Sequence, residues 1–155
     1  MAQPAAAPGV LALSVDAPAD SRAGDALPEP VRFGCGPGNL TVGDWCRRGL
    51  ATYSGAAMYS RTCEISNLNS RITLDLGDLS ATARVEVNGR EAATLIAPPW
   101  KCDITPFLRM GENDLSITVA NTLANHYSVG IPTPYAFDHQ TPSGLFGPVS
   151  LIISL

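Results

Sequence analysis

Apolar and polar residues alternate with a period of two through most of the second half of the chain. Ile72, Leu74 and Leu76 leave one side of the backbone, while Thr73 and Asp75 leave the other. Ala83, Val85 and Val87 alternate in the same way with Arg84 and Glu86, and Leu115, Ile117 and Val119 with Ser116 and Thr118. Successive side chains of a pleated strand point to opposite faces, so this is the pattern of antiparallel strands with one face buried. The C-terminal run puts Val149, Leu151, Ile153 and Leu155 on one such face. Asn88-Gly89 lies between residues 84–87 and 91–96 and is the signal of a type I′ hairpin, whose central positions need positive φ. Further strands are predicted over residues 57–65 and, near the start of the chain, over residues 10–15. Helix is scarce. Thr105 as N-cap and Pro106 in the first turn predict one turn through Arg109, with Gly111 stopping it. Short strands separated by turn residues, with almost no helix, make this an all-β chain: an antiparallel β-sandwich or jelly roll.

Two long segments break the alternation, residues 34–55 and 121–148, and both are rich in aromatic and polar side chains. Loops longer than about 12–15 residues are usually functional or packed against a neighbouring domain. Residues 16–30 read as a connector. The expected organisation is thus a tail over residues 1–29, holding an edge strand and the connector, followed by the sandwich over residues 30–155. A chain of 155 residues, 45% of them hydrophobic, can build such a core without a metal or disulfide staple. Ten Lys and Arg against 14 Asp and Glu argue against a nucleic-acid partner, which would demand a basic stripe. No apolar run approaches the ~20 residues of a membrane span. Residues 1–8 lack the basic start and apolar stretch of a signal peptide.

Catalytic signatures are sparse. His126 and His139 are too far apart for a helical metal pair, and Ser54 lacks the glycine spacing of a nucleophile elbow. The run Gly34-Cys35-Gly36-Pro37-Gly38 lacks the Gly-Lys-Ser/Thr ending of a phosphate loop and reads as a turn. Asp75, Asp78 and Glu86 fall on outward faces or turns, and Asp103 is placed to anchor the turn at Thr105. No carboxylate pair stands out as a general acid and its partner. On these grounds the chain alone does not read as an enzyme. Four cysteines, Cys35, Cys46, Cys63 and Cys102, form no zinc-type pattern.

An ordered set of motifs nevertheless runs through residues 30–155. It comprises Gly43-Asp44-Trp45, Gly49-Leu50, Tyr53-Ser54-Gly55 with Tyr59, Leu74-Asp75-Leu76-Gly77 and Val85-Glu86-Val87-Asn88-Gly89. Trp100 with Asp103-Ile104-Thr105, Gly111-Glu112-Asn113, residues 121–126 (Asn-Thr-Leu-Ala-Asn-His) and residues 143–149 (Ser-Gly-Leu-Phe-Gly-Pro-Val) complete it. This series resembles the galactose-binding-like jelly-roll domain of family 2 glycoside hydrolases, and most closely the C-terminal domain of family 106 α-L-rhamnosidase-like enzymes. The resemblance implies a non-catalytic, carbohydrate-binding or accessory β-sandwich beside the catalytic domain of a secreted or periplasmic enzyme. Its polysaccharide target would contain rhamnose or galactose. It equally admits a purely structural domain that packs on a catalytic barrel and binds nothing. Jelly rolls of this type often carry a structural calcium ion, for which no Asp-rich loop is visible here. The chain departs from the pattern at Cys63, which shares a face with Tyr59 and Ile65 and reads as a buried free thiol. It departs also at Cys35 and Cys46, which flank one loop and could close a short bridge.

Sugar recognition needs an exposed aromatic plate for the C–H face of a pyranose, ringed by polar groups for its hydroxyls. Trp45, Tyr53, Trp100, His126, Tyr127, Tyr135, Phe137, Asp138 and His139 have the right chemistry and fall in loops. For Trp45, Tyr53 and Trp100 the alternative is burial as structural anchors; for residues 121–148 it is docking against a missing domain. Arg61 sits on the core-parity face between Tyr59 and Cys63. There it either pairs with a carboxylate or offers its planar fork to ligand oxygens.

Overall fold

The alternating apolar faces meet as the pattern requires. The computed structural model describes residues 40–128 and 137–154, which belong to the compact unit Leu40–Leu155. The strand expected over residues 10–15, Cys35 and Tyr135 lie outside the described residues. In chain order the strands are β1 (Ala56–Ile65), β2 (Arg71–Asp75), β3 (Asp78–Ser80), β4 (Thr82–Val87), β5 (Arg90–Leu95), β6 (Lys101–Asp103), β7 (Gly111–Ala120), β8 (Gly144–Gly147) and β9 (Ser150–Ser154). One antiparallel sheet has the order β1-β7-β4-β5 and a second the order β6-β2-β9, with β3 and β8 forming a short ladder of their own. The chain is an all-β sandwich.

Ile72, Leu74 and Leu76 on one side, and Ala83, Val85, Val87, Leu115, Ile117 and Val119 on the other, form a single buried cluster with Ile104, Leu145 and Trp45. Burying a side chain such as Leu or Ile contributes about 1.5–3 kcal/mol relative to leaving it in water. This face is therefore what holds the two sheets together. The turn at Asn88-Gly89 takes positive φ at both residues, 53° and 73°, as a type I′ hairpin demands. Asn88 also reaches across the molecule. Its Nδ2 donates to Phe107 O at 3.0 Å and to Asn113 Oδ1 at 2.9 Å. Asn113 is fully buried, and its amide returns the favour to the backbone: Nδ2 donates to Arg109 O and Gly111 O, each at 2.8 Å, and Oδ1 accepts from Arg109 N at 2.8 Å.

Several expectations need correction. Residues 121–148 contain a strand, β8, and β3 and β6 are further short strands with too few residues to show a period. The helical turn is Thr105–Phe107, with Ile104 and not Thr105 at its N-cap position, and Asp103 anchors it as expected. Asp103 Oδ1 accepts from Thr105 N at 3.0 Å and from Thr105 Oγ1 at 2.6 Å, contacts that hold its carboxyl below the usual 3.8. Gly111 opens β7; it takes φ of 85° where the chain turns back into the sheet. β9 does not bury its apolar face: Leu151 is half-buried, but Ile153 is 63% exposed.

Arg61 is exposed and not buried, because among the described residues β1 is the last strand of its sheet and borders a groove. That groove, of about 880 Å³, runs between β1 and β9, with Tyr59, Cys63, Leu115, Ile117, Leu145 and Leu151 among its walls. Cys63 is a free, half-buried thiol, pushed up by burial first, with Arg61 pulling it down and Asp114 adding to the rise. Cys46 is likewise a free thiol, and Cys35, its expected partner, lies outside the described residues.

Asn113→Ala removes a fully buried amide and strands the part-buried backbone groups of Arg109 and Gly111, and an unsatisfied buried group costs about 1–3 kcal/mol. Urea denaturation is expected to show a loss of roughly 3 kcal/mol. A loss below 1 kcal/mol would mean that water replaces the amide.

Candidate functional site

One end of the sandwich is shaped by two loops that a buried polar network joins. The first loop starts with Asp44, whose carboxylate caps the turn Trp45–Arg48 by accepting from Cys46 N at 3.0 Å, and reaches across to Ser143 N at 3.3 Å. The second carries α1 (Ala124–Tyr127), a single helical turn whose Asn125 is fully buried. Asn125 Nδ2 donates to Thr141 O at 2.8 Å and lies 3.2 Å from both Cys46 Sγ and Ala51 O, while its Oδ1 accepts from Ser143 Oγ at 2.9 Å. Asn121 is the second tie: its Oδ1 accepts from Gly55 N at 2.8 Å and its Nδ2 donates to Tyr53 O at 2.7 Å. The Cys46 thiol donates to Thr141 O at 3.1 Å. Burial, then the Asp44 carboxylate, push its pKa up, which favours the neutral thiol that makes this hydrogen bond.

Trp45 lies beneath this end with no exposure at all, and its Nε1 donates to Tyr59 Oη at 2.7 Å. A buried indole cannot stack on a sugar, so Trp45 is corrected from candidate plate to anchor. Gly144 is what admits it: a Cβ there would stand 2.5 Å from Trp45 Nε1, and the φ of 115° suits only glycine. Tyr53 packs at 5.8 Å centroid to centroid on the indole and remains 37% exposed, its hydroxyl donating to Ala56 O at 2.7 Å.

Between the loops opens a shallow cleft of about 520 Å³, with Leu50, Tyr53, Ser54, Leu123, His126 and Tyr127 in its walls. The structure thus brings together three of the residues singled out from sequence: Tyr53, His126 and Tyr127. His126 N donates to Ser54 Oγ at 3.0 Å, which fixes α1 against the first loop. The His126 and Tyr127 rings meet edge to face at 5.2 Å, and Tyr127 is 53% exposed. Tyr and His present both an apolar face and polar atoms, the combination a pyranose requires.

The other candidates lie elsewhere. Trp100 is half-buried against the core, its carbonyl accepting from Leu76 N at 2.9 Å. Arg61 lines the groove on the flank of the sandwich. His139 stacks on Phe137 at 5.8 Å, outside the walls of the cleft; Asp138 sits in the short turn Asp138–Gln140. Sequence reasoning assigned no role to Asn121, Asn125 or Ser143. Their signal was amide and hydroxyl residues inside the recurring motifs of a long loop, where a turn is the ordinary explanation.

Among the described residues no three His, Cys, Asp or Glu side chains gather to hold a metal ion. Three acidic groups are held in ion pairs: Asp75 with Lys101 at 2.8 Å, Asp103 with Arg71 at 2.8 Å and Asp44 with Arg47 at 3.9 Å. No helix among the described residues is long and apolar enough to cross a membrane.

This sandwich is similar to small parts of several glycoside hydrolases. No protein-family profile matches the chain. A protein of Formosa agariphila, provisionally named a beta-glucuronidase, is 32% identical over 98 residues, which make up 61% of this chain and 8% of that protein. The rhamnosidase of Novosphingobium sp. PP1Y is similar in structure, with a TM-score of 0.54 and 33% identity over 66% of this chain and 11% of the enzyme. A beta-glucuronidase of an uncultured Clostridium sp. gives a TM-score of 0.52 and 27% identity over 66% of this chain and 20% of the other. The chain therefore spans a fifth or less of each of these relatives.

Gly144→Ala is expected to displace Trp45 and to destabilise the sandwich by about 2–4 kcal/mol, from overpacking and a strained φ together. In a Trp100→Phe background, a red shift of the remaining indole emission would report the displacement. Unchanged emission and stability would show that the indole stays in place and that the fold tolerates a Cβ at Gly144.

Proposed function

We propose that this chain is a non-catalytic carbohydrate-contacting β-sandwich of a secreted or periplasmic glycoside hydrolase acting on rhamnose- or galactose-containing polysaccharide. In this reading it corresponds to the galactose-binding-like domain of family 2 enzymes, closest to the C-terminal domain of family 106 rhamnosidase-like proteins. The observation that carries it is the cleft in which Tyr53, His126 and Tyr127 stand exposed beside the Ser54 hydroxyl. Likeness to small parts of a rhamnosidase and of beta-glucuronidases supports the accessory role. The described walls of the cleft include no carboxylate, so the acid and base of glycoside cleavage would belong to another part of the parent enzyme. An open cleft this shallow grips one face of a sugar. Affinity near millimolar, about 4 kcal/mol, is what it can provide, and tethering to a catalyst makes that sufficient.

Calorimetric and NMR titration of the chain with L-rhamnose, D-galactose and oligosaccharides of each tests this. Saturable binding is expected, weakened at least tenfold by Tyr127→Ala with thermal stability unchanged. Binding that survives Tyr127→Ala would move the site elsewhere, and silence across the panel from folded protein would end the reading.

One observation favours a second reading, a structural domain without a ligand. The groove between β1 and β9 is walled mainly by apolar side chains, and Met58, Ile152 and Ile153 lie exposed on the strands that border it. A catalytic domain of the parent enzyme could seat there.

A further inference from the structure

We propose that the cleft selects uncharged sugars and discriminates against uronates and other anionic sugars. This rests on the carbohydrate reading above and deepens it by naming the class of ligand.

Every described wall residue of the cleft comes from two stretches of chain, residues 49–54 and 123–127. The sequence around them is free of formal charge over an unusual length. Residues 49–60 contain no Asp, Glu, Lys or Arg, and neither do residues 121–137. In a sugar site a carboxylate or sulfate is normally met by Arg or Lys, because a buried or half-buried anion with no countercharge loses its hydration without compensation. The two closest cations in sequence are turned to other partners. Arg48 Nη2 donates to Val42 O at 2.7 Å, and Arg47 leans toward Asp44 at 3.9 Å. The net charge of -4 adds a field that disfavours anions, though salt screens it beyond about 8 Å.

What the cleft does offer suits a neutral ring. Tyr127 gives an exposed aromatic surface, Leu123, 60% exposed, an apolar rim, and Ser54, Thr52 and His126 supply groups that exchange hydrogen bonds with hydroxyls. A methyl or hydroxymethyl at the sugar C5 finds apolar surface there. A carboxylate at the same carbon finds no Lys or Arg among the described walls.

The test is an NMR titration of the isotope-labelled full chain at pH 8. The probes are methyl α-L-rhamnopyranoside, methyl β-D-galactopyranoside and the sodium salt of methyl β-D-galacturonopyranoside, each at 20 and 200 mM sodium chloride. The neutral glycosides are expected to shift the amides of Ser54, His126 and Tyr127, with the uronate at least tenfold weaker at either salt concentration. A smaller gap, or tighter uronate binding, overturns the selectivity and leaves the carbohydrate reading intact. If none of the three shifts these amides, both fall. Leu123→Arg supplies the missing charge at an exposed position, so the fold is not at risk. It is expected to strengthen uronate binding at least fivefold, while the neutral glycosides, which lose the apolar rim, bind no tighter than before. If uronate binding does not respond, charge is not what the cleft selects on, and the proposal is overturned.

Discussion

The end of the sandwich that carries the cleft depends on one buried amide. Asn125 sits on a helical turn only four residues long, far too short to be stable by itself. What holds the turn in place is that its amide meets Thr141, Ser143, Cys46 and Ala51 at once, joining three separate segments. An amide carries two donors and a two-sided acceptor, so it can bridge backbone from several directions where a carboxylate could only accept. In a low-dielectric interior each of these bonds is stronger than in water, and each unmet group is costlier. The same economy of means lets His126 and Tyr127, the next two residues, project into solvent with their backbone fixed.

The opposite end uses the same device. Asn113 closes the turn before β7 and is itself held by Asn88 at the hairpin tip, so two buried amides fasten loops at both ends of the apolar core. No buried side-chain polar atom among the described residues lacks a partner. The sandwich thus tolerates long connections because their polar groups are satisfied by side chains and not by sheet ladders.

How much of this was legible in the sequence follows from the range of the interactions. Faces such as Leu115, Ile117 and Val119 are written locally, because pleat geometry maps every second residue to one side. Asn88-Gly89 is local too, since its signal is the φ it requires. The period fails at strand edges. Arg61 and Ile153 share parity with core residues but lie on bordering strands, where parity no longer implies burial. Asn125 and Asn121 act through partners from 16 to 79 residues away in sequence, which no local pattern encodes. Trp45 misled for a related reason: its loop suggests exposure, while the space that buries it is created by Gly144, nearly a hundred residues on.

Trp45 also ties together the two surfaces on which the competing functional readings rest. Its Nε1 holds Tyr59, a wall of the groove, while its ring supports Tyr53, a wall of the cleft. Truncating the indole would leave a large cavity, worth about 3–5 kcal/mol, and would disturb both surfaces together. Loss of sugar binding on such a change would therefore say nothing about contact. Residues that touch only one surface carry that information: Tyr127 and Leu123 for the cleft, Leu151 and Val149 for the groove. Because the two surfaces share a support but no wall residue, they can serve at the same time. One face would seat against a catalytic domain while the end of the sandwich meets a sugar, and the weak affinity of an open cleft would then be set by the tether and not by the cleft alone.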